Sequence, residues 1–495
     1  MPPRSRGALL MRDYIHSALY SSAAPYFSKP VFASPAGAGG AALHFAALRG
    51  RSDYDARVAA LYAASARGWL TPVELFAPWY SYAIARCVLA RAPEGQPLRV
   101  YEVGGGTGAH ARHFLDYVRA AAPARYARPG GVSYTILEIS PQLCARQGEA
   151  LEAAGHGRGV AASQCLDATR AHEHLHDARP CTVVALEVLD NLPHDKVVCL
   201  DGALHETWVE EEEDDEVAGG AQQQQQQQQR QPRRREAYRP LADPLIVETW
   251  QWMEAHGSAA AAAEAGGGGG GGGALQRLLQ LAAAPLAALC RALPRRAPRL
   301  PLPGGFQWAL HAPTGSLALL KALRAALPAH SLLLADFSHL PHPRLGGGRG
   351  GQAAAAADVG CHAPADALPG SGGPPWAARH LRGLTERPGG VLLASGPRRA
   401  PASAPLLVAS KGSGGGERDH ASYLCPPLGE ADIFFPTDFG LLARMAGCGA
   451  RAQASADFLR QHAQCERTRT QTGFNPMLET YLNTSFLRSG ALAAQ

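Results

Sequence analysis

Charge is scarce in this chain. Asp, Glu, Lys and Arg make up only 18% of 495 residues, and 47 basic against 42 acidic side chains leave a formal net charge of +5. With no basic amphipathic stripe and no set of aromatics for base stacking, the sequence gives no support to a nucleic-acid partner. Ten cysteines are scattered without a Cys-x-x-Cys pair or a metal-ligand spacing. Neither a disulfide framework nor a zinc site is therefore expected, and a reduced compartment fits. No apolar stretch reaches the roughly 18–20 residues of a membrane-spanning helix. A Walker loop and a Gly-x-Ser-x-Gly elbow are both missing, so NTPase and hydrolase chemistry lack their centre. His172-x-His174-x-His176 could grip a metal if it lay on a strand, but its polar neighbours point to a loop, and no metal is expected.

Low-complexity sequence takes up much of the length. Glu210–Glu216 is nearly all acidic, Gln222–Gln229 is a pure glutamine tract, and Arg233-Arg234-Arg235 follows. Ala259–Ala263 with Gly266–Gly273, and Gly346–Gly351 with Ala353–Ala357, are further tracts of this kind. Such segments cannot bury enough apolar surface to offset their ordering entropy. Disordered insertions are therefore expected near 210–240, 257–274 and 343–423, set into a folded frame. That frame divides into an N-terminal helical region, 1–95, and an α/β region, 96–495.

The most informative stretch is Tyr101-Glu102-Val103-Gly104-Gly105-Gly106-Thr107-Gly108, between the apolar Leu98-Arg99-Val100 and the helix-like Ala109–Leu115. A strand ending in glycines and opening into a helix makes a nucleotide crevice, because glycines allow close backbone approach and the helix N-terminus offers free N–H groups. A dinucleotide loop wants Gly-x-Gly-x-x-Gly. Here Gly104, Gly106 and Gly108 are spaced more tightly, with an acid two residues before the first. This resembles motif I of class I S-adenosylmethionine-dependent methyltransferases, in which Glu102 would suit a cofactor carrying sulfonium and ammonium charges and no pyrophosphate. The spacing also disfavours a nicotinamide oxidoreductase.

Two further strand ends agree. Ser133–Leu137 is β-rich and closes on Glu138-Ile139, where an acid can accept from both ribose hydroxyls. Glu138 lies further beyond Gly108 than the usual spacing of about 20 residues, and the Pro123–Gly131 loop can absorb the excess. Cys181–Leu186 is apolar enough for a strand buried on both faces, and it ends in Glu187, Asp190 and Asn191. Beyond the carboxyl end of a sheet these groups could orient a guanidinium and accept its proton, or could simply cap the next segment. Asp167, after the strand near 159–163, falls where an adenine is commonly approached.

Taken in order, Glu102–Gly108, Leu137–Ser140 and Glu187–Pro193 resemble the MidA-like methyltransferase family, whose mitochondrial member is an arginine methyltransferase that helps assemble respiratory complex I. Gly68–Phe76, which contains Thr71, resembles its Gly-aromatic-x-Thr-Ser-Pro-Glu signature but reads Thr-Pro-Val-Glu. Leu334–His339 resembles its Ala-Asp-Tyr-Gly-His strand end, and Gly429–Ile433 with Thr437-Asp438-Phe439 a later segment. After the fourth strand this chain has Glu-Val-Leu-Asp in place of Glu-Phe-Phe-Asp.

The resemblance implies a class I methyltransferase fold, a Rossmann-like doubly wound α/β sheet. It further implies S-adenosyl-L-methionine as cofactor, held by Glu102, Gly104, Gly105, Gly106, Gly108, Glu138, Ile139, Asp167 and Thr71. Glu187, Asp190 and Asn191 become the catalytic candidates, a complex I subunit a possible protein substrate, and the mitochondrion the location. The first 29 residues contain Arg4, Arg6 and Arg12 with one acid, Asp13, a composition compatible with a presequence, although Leu10–Phe27 also resembles the family's first helix. A non-catalytic assembly protein that retained the fold is the alternative function.

By periodicity, helices are expected at Ala56–Ala66, Pro78–Ala90, Leu275–Ala292, Leu317–Ala326, Ser455–Gln464 and Pro476–Leu487. His205–Glu210 with Leu245–Gln251 reads as a hairpin-like excursion. Ser331–Asp336 is expected as the fifth core strand, and Gly390–Ser395, Pro405–Ser410 and Asp432–Phe435 as final strands or a small added domain.

Overall fold

The computed structural model describes residues 7–21, 25–28, 43–64, 71–157, 159–212, 233–266, 306–341, 406–411, 417–447 and 449–490. Numbered along the chain, the strands are β1 (Leu9–Leu10), β2 (Leu98–Val103), β3 (Val132–Glu138), β4 (Ala161–Cys165), β5 (Cys181–Leu186), β6 (Asp195–Leu200), β7 (Ala203–Glu212) and β8 (Arg233–Pro240). They continue with β9 (Phe306–Ala312), β10 (His330–Phe337), β11 (Leu407–Lys411), β12 (Glu417–His420), β13 (Asp432–Phe434), β14 (Arg451–Ala454) and β15 (Thr484–Arg488).

The central sheet runs β14-β15-β10-β5-β2-β3-β4. Strands β10, β5, β2, β3 and β4 are parallel, and β15 is inserted antiparallel between β10 and β14. From β2 the chain winds outward through β3 and β4, then crosses back to β5 and β10. The winding direction reverses between β2 and β5, so a crevice opens at their carboxyl ends, the place where open α/β sheets bind ligands.

Apolar residues cover both faces of this sheet, as the near-continuous runs in β2, β5 and β10 require. On one face the helices Trp79–Arg91 and Ala109–Ala121 pack Ile84, Phe114 and Leu115 against Tyr134, Ile136 and Phe486. Ala111, Phe114, Leu115 and Val118 are the buried stripe of the second helix, at a spacing of three and four residues. On the other face the helices Thr314–Ala326 and Phe439–Ala446 bury Leu320, Leu323 and Met445 against Val183 and Leu334.

Between β5 and β10 the chain lays down β6, β7, β8 and β9, which with β1 form a second, antiparallel sheet of order β1-β7-β6-β9, with β8 on the far side of β7. A third sheet, β12-β11-β13, packs Val408 and Ile433 against Met11, Ile15 and Leu19 of the N-terminal segment. Residues 9–10 thus join the second sheet and residues 11–19 brace the third.

Several sequence expectations need correction. The partner of His205–Glu210 is β8, not Leu245–Gln251, which lies in the helix Pro244–Gly266. Here charge decides: Glu210, Glu211 and Glu212 sit opposite Arg235, Arg234 and Arg233, so cross-strand attraction pairs the two runs. The insertion expected near 210–240 is accordingly ordered at both ends, and the helix Pro244–Gly266 enters the stretch near 257–274. Likewise β11 and β12 fall inside the segment 343–423. Pro476–Leu487 is helical only over Pro476–Glu479, and its later half is β15, where Phe486 and Leu487 are buried on opposite faces of the sheet. Leu275–Ala292 and Gly390–Ser395 lie outside the described residues.

Candidate functional site

A cleft of about 1600 Å³ lies at the carboxyl ends of β2, β3 and β5. Its first wall is the glycine loop. Gly104, Gly106 and Gly108 have φ of 67°, 51° and 80°, the left-handed region that favours glycine. Gly105 is required for a different reason: a Cβ there would stand 2.6 Å from Ile136 Cγ2. Nothing lies within 4 Å of a Cβ at Gly106, so this residue presents bare backbone to open space. Gly108 caps the helix Ala109–Ala121 and shapes the turn from behind the cleft wall.

Two acids flank this loop. Glu102 is buried on β2 and accepts the Tyr134 hydroxyl at 2.9 Å. Burial raises it to about 8; the Tyr134 bond opposes the rise and the charge of Glu138 adds to it. Glu138, at the end of β3, accepts from Ser140 N at 3.0 Å and Gln147 Nε2 at 2.9 Å, and burial again raises it against these bonds. Gln147 also donates to the Gly106 carbonyl at 2.9 Å, so one amide ties the second acid to the glycine loop. Sequence reasoning had not singled out Gln147, which lies mid-helix with no motif around it.

Ile139, Asp167 and Thr71 line the same cleft. Asp167 caps the turn Ala168–Glu173 through Thr169 N at 2.8 Å, and His16 Nε2 stands 3.5 Å from its other oxygen. Burial pushes Asp167 up, but the bonds from His16 and Thr169 outweigh it and leave the carboxyl below its ordinary value. Thr71 starts the turn Pro72–Leu75, with its carbonyl accepting from Glu74 N. Glu74 accepts from Thr107 Oγ1 at 3.4 Å, and burial raises it to about 7.

The opposite wall is the acid loop after β5. Glu187 has φ of 54°, a strained conformation for a residue with a side chain. Asp190 is 1% exposed, lines the cleft, and its Oδ1 has no hydrogen-bond partner among the described residues. Burial pushes Asp190 well above the usual carboxylate range, and the charges of Asp336, Asp432 and Glu187 push it further. Glu187 rises for the same reasons, through burial and then Asp336 and Glu74.

Asn191 is placed differently from its neighbours. Its Nδ2 donates to Asp432 Oδ1 at 2.8 Å and to the Ile433 carbonyl at 3.1 Å, so its amide fastens the loop to β13 and offers no free N–H to a ligand. Asn191 also lines the cleft, with both amide N–H groups committed to this anchoring. Asp336 and Asp432 complete the cluster. The signal for them was their place in family-like segments, which carried no role for either. Burial lifts each to about 7, against the backbone N–H groups that bond them.

The donor set fits one kind of ligand. Glu102 and Glu138 beside open glycine backbone suit a cationic, ribose-bearing cofactor, and the acid loop suits a second cation. The described residues contain no group of His, Cys, Asp and Glu able to hold a metal ion. His172 and His174 are exposed, at the end of the turn Ala168–Glu173 and just past it.

This fold and site define a class I methyltransferase. Residues 83–354 match a family model described as "Putative S-adenosyl-L-methionine-dependent methyltransferase", a span that includes the glycine loop, the acid loop and Asp336. The chain belongs to that family, and S-adenosyl-L-methionine is its cofactor. Among solved structures it is similar to a COG1565 superfamily protein of Burkholderia thailandensis bound to S-adenosyl-homocysteine, at 15% identity and a TM-score of 0.49, covering 99% of this chain and 89% of that one. A native structure of a COG1565 superfamily protein from the same organism matches at 15% identity and a TM-score of 0.47, with the same coverage. No curated protein matches.

Proposed function

We propose that this methyltransferase acts on protein arginine. The carrying observation is the cluster of carboxyl groups beside the glycine loop: Asp190 presents a buried, unpartnered carboxyl oxygen, with Glu187, Asp336 and Asp432 around it. A guanidinium is planar, donates only, and stays protonated near neutrality. A group that removes its proton as a bond forms must be an acceptor of raised proton affinity within reach.

In this reading Glu102, Gly104, Gly105, Gly106, Gly108, Glu138, Ile139, Asp167 and Thr71 hold S-adenosylmethionine, which supplies an electrophilic methyl group when bound. Asp190 and Glu187 align the guanidinium and take up its proton, and Asn191 holds their loop in place. A complex I subunit as substrate, and a mitochondrial location, rest on the resemblance to the MidA-like family.

The test is incubation of the protein with tritiated S-adenosylmethionine and a mitochondrial extract, followed by hydrolysis and amino-acid analysis. Label in methylarginines, lost with Asp190→Asn, supports the proposal. Label in another amino acid, or none, overturns it.

A further inference from the structure

The N-terminal segment enters the cleft from outside the glycine loop and the acid loop. It is firmly anchored: β1 pairs with β7, and the Arg12 guanidinium binds Asp195 at 2.9 Å and Asp243 at 2.6 Å. The helix Met11–His16 then gives way to a π-helical turn, Ser17–Ser21. Such turns are rare, and they recur at functional sites because they re-aim a side chain. Here the turn carries Tyr20 into the cleft wall, where its ring stacks on Phe27 with centroids 5.4 Å apart.

The Tyr20 hydroxyl donates to the main-chain carbonyl of Asn191 at 3.1 Å. A hydroxyl has one hydrogen and two lone pairs. With its hydrogen committed to the acid loop, the oxygen can only accept from anything else in the cleft. Burial, and then the charges of Asp432 and Asp190, hold the phenol well above its ordinary value, so it keeps that hydrogen. Two acceptors from separate parts of the chain therefore line the same cleft: Asp190 Oδ1, buried and unpartnered, and the lone pairs of Tyr20.

We propose that Tyr20 is a substrate-binding and specificity residue, accepting an N–H of the target guanidinium while Asp190 accepts another. This rests on the arginine reading of the cleft. Two fixed acceptors on different elements suit a planar fork better than a compact ammonium, whose donors rotate to any single acceptor. The site is then incomplete without residues 11–21, although motif I and the acid loop lie far along the chain.

The test uses the full chain, tritiated S-adenosylmethionine and two degenerate heptapeptide pools, one with arginine and one with lysine at the central position. Tyr20→Phe keeps the ring and removes the acceptor. S-adenosylhomocysteine affinity is measured in parallel by calorimetry. The expected result is an unchanged S-adenosylhomocysteine affinity with kcat/KM for the arginine pool lowered about ten- to a hundredfold, mostly through KM. An unchanged kcat/KM for the arginine pool overturns the proposal. Loss of S-adenosylhomocysteine binding together with activity also overturns it, since Tyr20 would then be holding up the fold. Wild-type protein that labels only the lysine pool, or neither, contradicts the arginine reading itself, and this inference falls with it.

Discussion

One carboxylate oxygen, Asp336 Oδ2, accepts three consecutive backbone N–H groups of the acid loop: Val188 at 3.0 Å, Leu189 at 2.7 Å and Asp190 at 3.2 Å. Its other oxygen accepts Phe337 N at 2.7 Å. A strained turn persists only where its surroundings over-determine it, and these bonds hold the chain just after Glu187, whose φ is 54°. Asp336 therefore sets where Glu187 and Asp190 stand without itself needing to meet substrate.

Asp336→Asn is expected to lower stability by about 2 kcal/mol, the order of a lost charge-assisted hydrogen bond. Methyl transfer should fall far more than affinity for S-adenosylhomocysteine, because the glycine loop does not depend on this carboxylate. Denaturant unfolding and calorimetry on the same preparation check both. A variant with wild-type kcat would show that the acid loop needs no such anchor.

The glycine loop makes a contrasting pair. At Gly105 a Cβ would meet Ile136 Cγ2 at 2.6 Å, whereas at Gly106 it would meet nothing within 4 Å. Gly105→Ala is expected to destabilise the protein by about 1–3 kcal/mol through overpacking. Gly106→Ala carries only the strain of a φ of 51° and should cost about 1 kcal/mol or less. Thermal melts of the two variants, with and without S-adenosylhomocysteine, separate the effects.

Proton linkage gives a third outcome. Asp336 and Asp432 are raised from 3.8 to about 7, Glu74 from 4.5 to about 7 and Glu102 from 4.5 to about 8, burial being the largest cause in each. Below the ordinary histidine value of 6.5, burial of His110, His113 and His194, which lowers them to about 3 or about 4, opposes these carboxyls. Between about pH 7 and pH 8 the carboxyls dominate: the folded protein binds more protons than the unfolded chain, and stability falls as pH rises. The melting temperature without ligand is expected to drop across this window. Cationic S-adenosylmethionine, which favours the ionised carboxylates, should flatten the drop. A melting temperature that rises from pH 7 to pH 8 would contradict the burial of these carboxyls.

Arg12 serves a folded body. Its guanidinium meets Asp243 through two nitrogens and Asp195 through one, and Asp195, with a fully buried side chain, also accepts Thr314 Oγ1 at 2.8 Å. Arg12→Met removes the cation and leaves Asp195 buried without its charge partner, a change expected to cost about 3–5 kcal/mol. Mass spectrometry of the protein isolated from its source should also find residue 12 retained. A leader whose removal took residue 12 with it would contradict this anchoring role.

How much was legible in the sequence depended on how local each signal was. Glu102 to Gly108 could be read because strand, turn and helix follow one another within a short stretch, and Glu138 and Asp190 because each closes an apolar run. Asp432 and Tyr20 carry no such local mark: they enter the cleft through contacts with Asn191, across 241 residues for Asp432 and 171 for Tyr20. Asn191 is legible as closing the same run, but its anchoring contacts are not, since its two N–H partners lie on β13, which periodicity cannot place beside the acid loop. The helix expected through Leu487 failed for a related reason. Phe486 and Leu487 fill opposite faces of the sheet, and only the neighbouring strands β10 and β14 reveal that.

The most direct test of the account is calorimetric titration of the intact protein with S-adenosylmethionine and S-adenosylhomocysteine, alongside Gly106→Val. A β-branched side chain at a φ of 51° cannot keep the loop's shape. Micromolar binding of both ligands by the wild type, absent from a Gly106→Val protein that still melts cooperatively, is the expected result. A folded wild-type protein that binds neither ligand would contradict the central claim, leaving a methyltransferase fold without its chemistry.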